Sequence, residues 1–217
     1  MPLALFDLDN TLLAGDSDYL WGSFLVKKGL VDKNLYEQAN QRFYEDYKNG
    51  NLDIHEFLAF ALTPLAENKA DDLRAMHAEF MAGYIEPIMN RAGKNKIEEH
   101  RAKGDYPVII TATNSFVTGP IAAAFGIDDL IATEPEIIND SYTGKVAGTP
   151  CFKQGKITKL NDWLKNSEMN LEGSYFYSDS HNDLPLLEQV THPVAVDPDD
   201  TLRQVAENRD WEIISFR

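Results

Sequence analysis

Short apolar runs alternate with amphipathic helical stretches along most of this 217-residue chain. Residues 3–6 are apolar and stop at an acidic turn, which is typical of a fully buried strand in a parallel sheet. Further strands are predicted over residues 108–110, 175–177, 194–196 and 212–214, and a β-hairpin over residues 134–146. Helices are predicted over residues 94–103, 117–125, 156–165, 184–189 and 202–208. Because strands alternate with helices, we expect parallel β-α-β units.

The segment over residues 16–90 has a different pattern, because its apolar residues recur only at helical spacing. Leu20 and Phe24, for example, share one helical face. We therefore predict an α/β fold with a doubly wound, Rossmann-like parallel sheet. Residues 1–15 and 91–217 would form this catalytic core, and residues 16–90 would form an inserted, all-helical cap domain.

Composition and charge narrow the class of protein. Hydrophobic residues make up 43% of the chain and charged residues 25%, which is ordinary for a soluble globular protein. The net charge of −15 argues against a general nucleic-acid binder and against a binder of anionic membranes. A single cysteine, Cys151, excludes an internal disulfide and a cysteine-based zinc cluster. No apolar run approaches the roughly 18 residues of a membrane span, and the start lacks the basic region of a signal peptide, so we expect a cytoplasmic protein.

Acidic, hydroxyl and lysine side chains follow the predicted strands at their carboxyl ends, where ligands bind in open α/β sheets. Residues 7–11 (Asp-Leu-Asp-Asn-Thr) follow the first strand, and residues 111–114 (Thr-Ala-Thr-Asn) follow the second. Lys156 opens a later helix, and residues 178–183 (Ser-Asp-Ser-His-Asn-Asp) follow the third strand. A second D-x-D-x-T sequence, residues 197–201, has too little chain after it to supply such partners. We interpret it as a turn and helix N-cap.

This set of motifs resembles that of the haloacid dehalogenase-like phosphatases, and the resemblance covers nearly the whole chain. Residues 7–11 are similar to the first motif, D-x-D-x-T. Thr111 matches the second motif and Lys156 the third, while Asp179 and Asp183 match the acidic fourth motif. The helical insert resembles the helical cap (C1, subfamily IB) of the phosphoserine-phosphatase-like branch.

The resemblance implies a phosphatase that acts through an aspartyl-phosphate. Asp7 would be the nucleophile, and Asp9 would protonate the leaving oxygen and later activate water. The second carboxylate favours phosphate-ester chemistry over dehalogenation, which needs no such acid. Mg²⁺, a hard cation that prefers oxygen ligands, is the implied cofactor. Its ligands would come from Asp7, the Asp9 backbone carbonyl, Asp179 and Asp183.

The same resemblance implies the phosphate and substrate contacts. Thr111 and Lys156 would hold the phosphoryl oxygens, with Lys153 and Lys159 as weaker rivals for the place of the lysine. The residues assigned to phosphate and substrate binding are Leu8, Asp16, Thr111, Ala112, Thr113, Asn114, Lys156 and Asn182. Whether His181, which lies inside the acidic loop, contacts substrate stays open at this point.

Asp16 lies where this branch places a cap-side acid that meets the amino group of the substrate. An acid there favours an amino-bearing phosphate ester such as phosphoserine or histidinol phosphate, although a helix N-cap would use the same side chain. Thr113 and Asn114 depart from the glycine-rich turn of phosphoserine phosphatases, which argues against phosphoserine. The expected partner is a small phosphorylated metabolite, with no nucleic acid and no membrane. A phosphotransferase of the same fold and a non-catalytic binding module are the alternatives.

Overall fold

A parallel β-sheet forms the centre of the molecule, and the computed structural model describes all 217 residues. The strands are β1 (Leu3–Phe6), β2 (Tyr106–Asn114), β3 (Leu130–Thr133), β4 (Pro135–Ile138), β5 (Ser141–Val146), β6 (Tyr175–Ser178), β7 (His192–Val196) and β8 (Glu212–Ile214). Six of them pair in the order β3-β2-β1-β6-β7-β8, and all neighbours are parallel. β4 and β5 form a separate antiparallel hairpin.

Nine helices surround the strands. They are α1 (Ser17–Lys28), α2 (Lys33–Lys48), α3 (Ile54–Glu67), α4 (Ala70–Phe80), α5 (Arg91–Lys103), α6 (Ser115–Ala124), α7 (Gln154–Lys165), α8 (Leu184–Leu187) and α9 (Asp200–Asn208). None of them is both long enough and apolar enough to cross a membrane.

β1 lies in the middle of the sheet because all four of its residues are apolar and fully buried. Leu3 and Leu5 pack into the hydrophobic cluster on one face of the sheet, and Ala4 and Phe6 into the cluster on the other. Burial on both faces is the mark of a doubly wound parallel sheet, so the predicted fold class is confirmed. Because β1 pairs with β2 and β6, the loops after these three strands meet at one edge.

The structure corrects the predicted strands in two places. β3 was not predicted, because its four residues (Leu-Ile-Ala-Thr) run directly into the hairpin and show no separate pattern. β2 is longer than predicted and extends through Asn114, so residues 111–114 belong to a strand rather than to a turn. β3 and the extension of β2 stabilise each other by pairing, which places Asn114 opposite Thr133.

The predicted hairpin is present as β4 and β5. Its two turn residues, Asn139 and Asp140, take positive φ values of 52° and 61°. Asn and Asp tolerate this left-handed conformation better than other non-glycine residues, and it matches the twist of a two-residue hairpin.

The helices α1–α4 lie between β1 and α5 along the chain, within the segment predicted to be an insert. The two chain connections to this segment run side by side, because Leu13 and Met89 form an isolated antiparallel bridge. Nearby, the Asn90 side chain donates to the backbone carbonyl of Thr11 (3.0 Å). These contacts lie close to the predicted boundaries at residues 15 and 91, and the division into core and cap stays a prediction.

Candidate active site

The turn after β1 holds two carboxylates at the carboxyl edge of the sheet. Asp7 directly follows the strand, and its backbone N–H donates to the carbonyl of Tyr177 in β6 (2.9 Å). Asn10 takes a left-handed φ of 57°, which lets the chain turn back sharply after Asp9. Asp7 and Asp9 both line the same cavity.

Lys156 joins the first and fourth motifs through a buried group of charges. Its Nζ donates to Asp7 Oδ1 (2.7 Å) and to Asp183 Oδ2 (2.8 Å), and the three side chains are at most 5% exposed. The Ser178 hydroxyl also donates to Asp183 Oδ2 (2.7 Å). Burial alone would lower the pKa of Lys156, but the charges of Asp183 and Asp7 outweigh it and raise that pKa. The lysine is therefore a fixed positive charge beside Asp7.

A tight turn at the start of α7 sets the position of Lys156. A Cβ atom at Gly155 would lie 2.0 Å from the carbonyl oxygen of Pro150, so this turn requires glycine. The two rival lysines point elsewhere: Lys159 donates to a backbone carbonyl of β3 (2.6 Å), and Lys153 to one just after α2 (2.7 Å). The preference for Lys156 over its rivals therefore agrees with the contacts.

The Asp9 carboxylate is held by two hydrogen bonds. The backbone N–H of Ser17 donates to Oδ1 (2.6 Å), and the Thr113 hydroxyl donates to Oδ2 (2.8 Å). Burial raises the pKa of Asp9, and the hydrogen bonds from Ser17 and Thr113 oppose that rise. A carboxyl group with a raised pKa suits a general acid, because it can keep a proton to donate. The contact between Thr113 and Asp9 was not predicted from the sequence.

Asp179 adds a partly buried carboxylate beside Asp7 and Asp183. The Thr11 hydroxyl donates to Asp179 Oδ1 (3.0 Å). Burial raises the pKa of Asp179 well above its usual range, and the charges of Asp7 and Asp183 add to that rise. Burial also raises the pKa of Asp7 to about 7, with Lys156 opposing and Asp183 adding. Asp7 and Asp183 thus share one ammonium group, and the charge of Asp179 lies near them without a cation of its own. No three or more His, Cys, Asp or Glu side chains are arranged as a ready metal site.

A cavity opens beside these carboxylates, between the edge of the sheet and helices α1–α3. Six of the predicted site residues line it: Asp7, Asp9, Asp16, Thr111, Ala112 and Thr113. The sequence did not assign to the site the other acidic and aromatic residues of the wall, which are Asp18, Tyr19, Phe43, Tyr44, Tyr47, Phe57 and Phe152. The cavity therefore has an acidic floor and an aromatic wall.

Four predicted binding residues lie outside the cavity wall. One is Lys156, whose contacts with Asp7 and Asp183 are described above, and the other three have different partners. Leu8 is fully buried in the hydrophobic core. Asn114 caps α6 by accepting from the Val117 N–H (3.2 Å) and donates to Asp18 Oδ1 (3.4 Å). Asn182 donates to the backbone carbonyl of Tyr47 at the end of α2 (3.0 Å). Each of these side chains is used for packing, capping or joining elements.

The structure also bears on the second D-x-D-x-T sequence and on His181. Asp199 accepts from the Leu202 N–H (2.8 Å), so the second D-x-D-x-T sequence is the predicted helix cap. His181, which the sequence left open, contacts Asp199 Oδ2 through Nδ1 (2.8 Å) and does not line the cavity.

Asp16 caps a helix and also lies in the cavity wall, so the structure is compatible with both of the roles that the sequence left open. It is the N-cap of α1, where Oδ1 accepts from the Tyr19 N–H (2.8 Å). It also lines the cavity. Burial raises the pKa of Asp16 to about 7, and the neighbouring charge of Asp9 adds to the rise. No lysine, arginine or histidine lines this cavity, so nothing in its wall neutralises Asp16.

The family follows from comparison with known proteins. The model of the haloacid dehalogenase-like hydrolase family matches residues 4–188. The chain belongs to this family. The resemblance drawn from the motifs at Asp7, Thr111, Lys156 and Asp179 is thereby confirmed.

Relatives of this haloacid dehalogenase-like hydrolase include a histidinol-phosphatase of Neisseria meningitidis serogroup C (strain 8013), which is 46% identical over 99% of both chains. The crystal structure of a protein of unknown function from Bordetella pertussis Tohama I covers 100% of this chain and 99% of its own, with a TM-score of 0.94 and 44% identity. A substrate-bound phosphoserine phosphatase covers 100% and 93%, with a TM-score of 0.70 and 16% identity, and so shares the fold. The prediction of a hydrolase of the phosphatase class is confirmed.

The raised pKa of Asp16 predicts a pH-dependent stability difference between the native protein and Asp16→Asn. The folded protein holds a proton on Asp16 up to about pH 7. The unfolded chain releases it near pH 4. The contribution of Asp16 to stability is therefore present below pH 4 and lost as the pH rises through 7. Asparagine caps a helix as well as aspartate does. As the pH rises from 5 to 8, the free energy of unfolding of Asp16→Asn should therefore increase relative to that of the native protein.

This expectation is checked by urea unfolding in EDTA at pH 5, 6.5 and 8. Asp32→Asn is the matched control, since Asp32 is the exposed N-cap of α2 and accepts from the Leu35 N–H. A stability difference for Asp16→Asn that stays constant over this range would mean that Asp16 ionises normally.

Proposed function

We propose that this chain is a Mg²⁺-dependent phosphomonoesterase that hydrolyses a small amino-bearing phosphate ester, with histidinol phosphate as the leading candidate. The observation that carries the proposal is the buried contact of Lys156 with Asp7, which lines the same cavity as Asp9. A carboxylate, a fixed cation and a second carboxyl group of raised pKa are what transfer of a phosphoryl group to a side chain requires.

In the first step, an oxygen of the Asp7 carboxylate attacks phosphorus and forms a P–O bond. The bond between phosphorus and the ester oxygen breaks, and the leaving oxygen takes a proton from Asp9. The alcohol departs and Asp7 carries the phosphoryl group as an acyl phosphate. The positive charge of Lys156, 2.7 Å from Asp7 Oδ1, stabilises negative charge on the transferring group.

In the second step, Asp9 accepts a proton from a water molecule as that water attacks phosphorus. The P–O bond to Asp7 breaks, which releases inorganic phosphate and restores the carboxylate. Asp9 is then protonated again and ready for the next ester. The hydrogen bonds from Ser17 and Thr113 keep its carboxyl group in one orientation through both steps.

The buried charges fit a divalent cation. Asp7, Asp179 and Asp183 outnumber the single ammonium group of Lys156, and every available donor is an oxygen, as Mg²⁺ prefers. Asp7, Asp179 and the Asp9 backbone carbonyl would hold the ion, with Asp183 in support through its contact with Lys156. When bound, Mg²⁺ would reduce the repulsion between an anionic nucleophile and an anionic ester.

The substrate proposal rests on two observations. Asp16 lies in the cavity wall without a neighbouring cation, so it can pair with an ammonium group. The relative that is 46% identical over nearly the full length is a histidinol-phosphatase. Thr111 lines the cavity, and together with Lys156 it would contact the phosphoryl oxygens. We also propose that residues 16–90 act as a cap, since α1, α2 and α3 supply most of the aromatic wall.

The activity is tested with a panel of phosphate esters that contains p-nitrophenyl phosphate, histidinol phosphate, phosphoserine, a sugar phosphate and a nucleotide. We expect turnover with Mg²⁺ and loss of turnover in EDTA, with an amino-bearing ester preferred. Full activity in EDTA would contradict the Mg²⁺ requirement. A sugar phosphate or a nucleotide at the head of the panel would contradict the substrate class. Acceptor alcohols added to the assay would reveal a phosphotransferase by the appearance of new esters.

The role of Asp9 predicts a dependence on the leaving group. Asp9→Asn removes the proton donor, so alcohol release from an alkyl phosphate should slow by about 10²- to 10⁴-fold. Release of p-nitrophenolate should slow much less, because this anion departs without a proton. Alcohol release is measured in a single turnover, so that the second step does not contribute. Equal rate losses for both esters would show that Asp9 does not protonate the leaving group.

A further inference from the structure

A second acid in the cavity wall has no assigned role. Asp18 lies one helical position beyond Ser17 in the first turn of α1, and it is only half-buried. Its Oδ1 receives one long hydrogen bond, from Asn114 Nδ2 (3.4 Å). Asp16 and Asp9 are close enough that their charges, added to burial, raise the pKa of Asp18 well above its usual range. A favourable interaction with the helix dipole alone would not require Asp18 to lie so close to Asp16 and Asp9.

The wall around Asp18 is aromatic. Tyr19, Phe43, Tyr44, Tyr47, Phe57 and Phe152 line the same cavity as Asp7 and Asp18. Aromatic faces bind flat rings by stacking, and they attract cations by their negative faces. The group that sits against Asp18 is therefore expected to be both flat and basic.

The cavity also disfavours one kind of ligand. Its wall holds four carboxylates, Asp7, Asp9, Asp16 and Asp18, and no lysine, arginine or histidine. The nearby Lys156 is already engaged by Asp7 and Asp183. A substrate with its own carboxylate, such as phosphoserine, would find only acidic or apolar side chains in this wall and no cation to pair with that carboxylate.

We propose that Asp18 and the aromatic wall form a second subsite, which binds the imidazole ring of the substrate while Asp16 binds its ammonium group. This inference rests on the proposed phosphatase function and extends it. The enzyme distinguishes an ester with two basic groups from one with a single ammonium group, and it rejects an ester that carries a carboxylate. Asp18 is a specificity-determining residue and takes no part in the transfer of the phosphoryl group.

Four esters separate these contributions. Histidinol phosphate carries an ammonium group and an imidazole, and O-phosphoethanolamine carries the ammonium group alone. Phosphoserine carries an ammonium group and a carboxylate, and phenyl phosphate carries a neutral ring. Values of kcat/KM with Mg²⁺ are compared for the native protein, Asp18→Asn and the control Asp72→Asn. Asp72 is an exposed acid in the first turn of α4, so the control removes an equivalent helix-dipole charge.

We expect the native protein to prefer histidinol phosphate to O-phosphoethanolamine, with phosphoserine below both. Asp18→Asn should lower kcat/KM for histidinol phosphate by roughly 10- to 150-fold more than for O-phosphoethanolamine, the range expected for loss of a charged hydrogen bond in a partly dry site. Asp18→Glu, which keeps the charge, should recover part of the preference. Asp72→Asn should leave the ratio of the two esters as it is in the native protein.

Two results would overturn the inference. One is an equal loss on all four esters with Asp18→Asn, which would mean that Asp18 only supports α1. The other is a native preference for phosphoserine. If p-nitrophenyl phosphate and all four esters resist turnover with Mg²⁺, the proposed function itself fails. Calorimetric binding then decides the subsite: Asp18→Asn must weaken the binding of histidinol phosphate but not that of inorganic phosphate, and equal weakening refutes it.

Discussion

Asp7→Asn should abolish phosphatase activity, with kcat reduced by roughly 10⁴- to 10⁶-fold for every ester that the native protein accepts. The amide keeps nearly the same shape and can still accept a hydrogen bond from Lys156, but it is no nucleophile toward phosphorus. The loss should appear in kcat and should not depend on the leaving group. This sets Asp7 apart from Asp9, whose loss should depend on the leaving group.

The chain offers a matched control in its second D-x-D-x-T sequence. Asp197 stands at the position in that sequence equivalent to Asp7. Its Oδ2, however, accepts from the backbone N–H of Phe216 (2.9 Å), near the end of the chain. Asp197→Asn should therefore keep the activity of the native protein. Activity that survives in Asp7→Asn, at more than about one part in a thousand and free of contaminating phosphatase, would place the nucleophile elsewhere.

Lys156→Met should be the most destabilising single change in the site, lowering the free energy of unfolding by about 3–5 kcal/mol. Methionine fills a similar volume, but Asp7 and Asp183 would lose their shared cation while fully buried. The variant should also be inactive, because the ammonium group that stabilises negative charge on the transferring phosphoryl group would be lost. Urea unfolding at pH 8 in EDTA gives the stability, and p-nitrophenyl phosphate the activity.

Lys159→Met is the control for this change. Lys159 lies one turn along the same helix and donates to a single backbone carbonyl, so its loss should cost about 1 kcal/mol. The stability lost in Lys156→Met should shrink as the pH falls toward 5, because protonation of Asp7, whose pKa burial raises to about 7, removes its unpaired charge. Equal destabilisation by the two variants would show that the buried charges contribute nothing to folding.

The parts of the fold that the sequence predicted are those in which local pattern and tertiary role agree. β1 is apolar throughout and is buried on both faces, so its run of four residues was sufficient. The hairpin turn at Asn139 and Asp140 carries residues suited to positive φ. β3 had no such signal, because its existence depends on pairing with the extended end of β2 rather than on its own four residues.

The site shows the same division. Asp7, Lys156 and Asp183 were predicted as a group because each follows a different element at the edge of the sheet, and the structure joins them within 2.8 Å. The hydrogen bond from Thr113 to Asp9 could not be predicted, since it depends on how β2 continues past residue 111. The aromatic wall could not be predicted, because apolar and aromatic residues at helical spacing do not show which side of a helix faces a cavity.

Asn114 and Asn182 illustrate a limit of motif position. Both lie next to motif residues, which favoured a contact with substrate. In the structure Asn114 caps α6 and donates a hydrogen bond to Asp18. Asn182 donates a hydrogen bond to the backbone carbonyl of Tyr47 at the end of α2. A short polar side chain near a helix start or a neighbouring carbonyl satisfies its hydrogen bonds there, and sequence alone does not show which partner is in reach.

The most direct test of the account is to trap the phosphorylated protein during turnover. The native protein is mixed with Mg²⁺ and excess p-nitrophenyl phosphate, quenched in acid within milliseconds, digested and examined by mass spectrometry. We predict one phosphoryl group on the peptide that contains Asp7, lost on treatment with hydroxylamine as an acyl phosphate should be, and absent from Asp7→Asn. Steady turnover without any phosphorylated peptide, or a phosphoryl group on another residue, would contradict the assignment of Asp7 as the nucleophile.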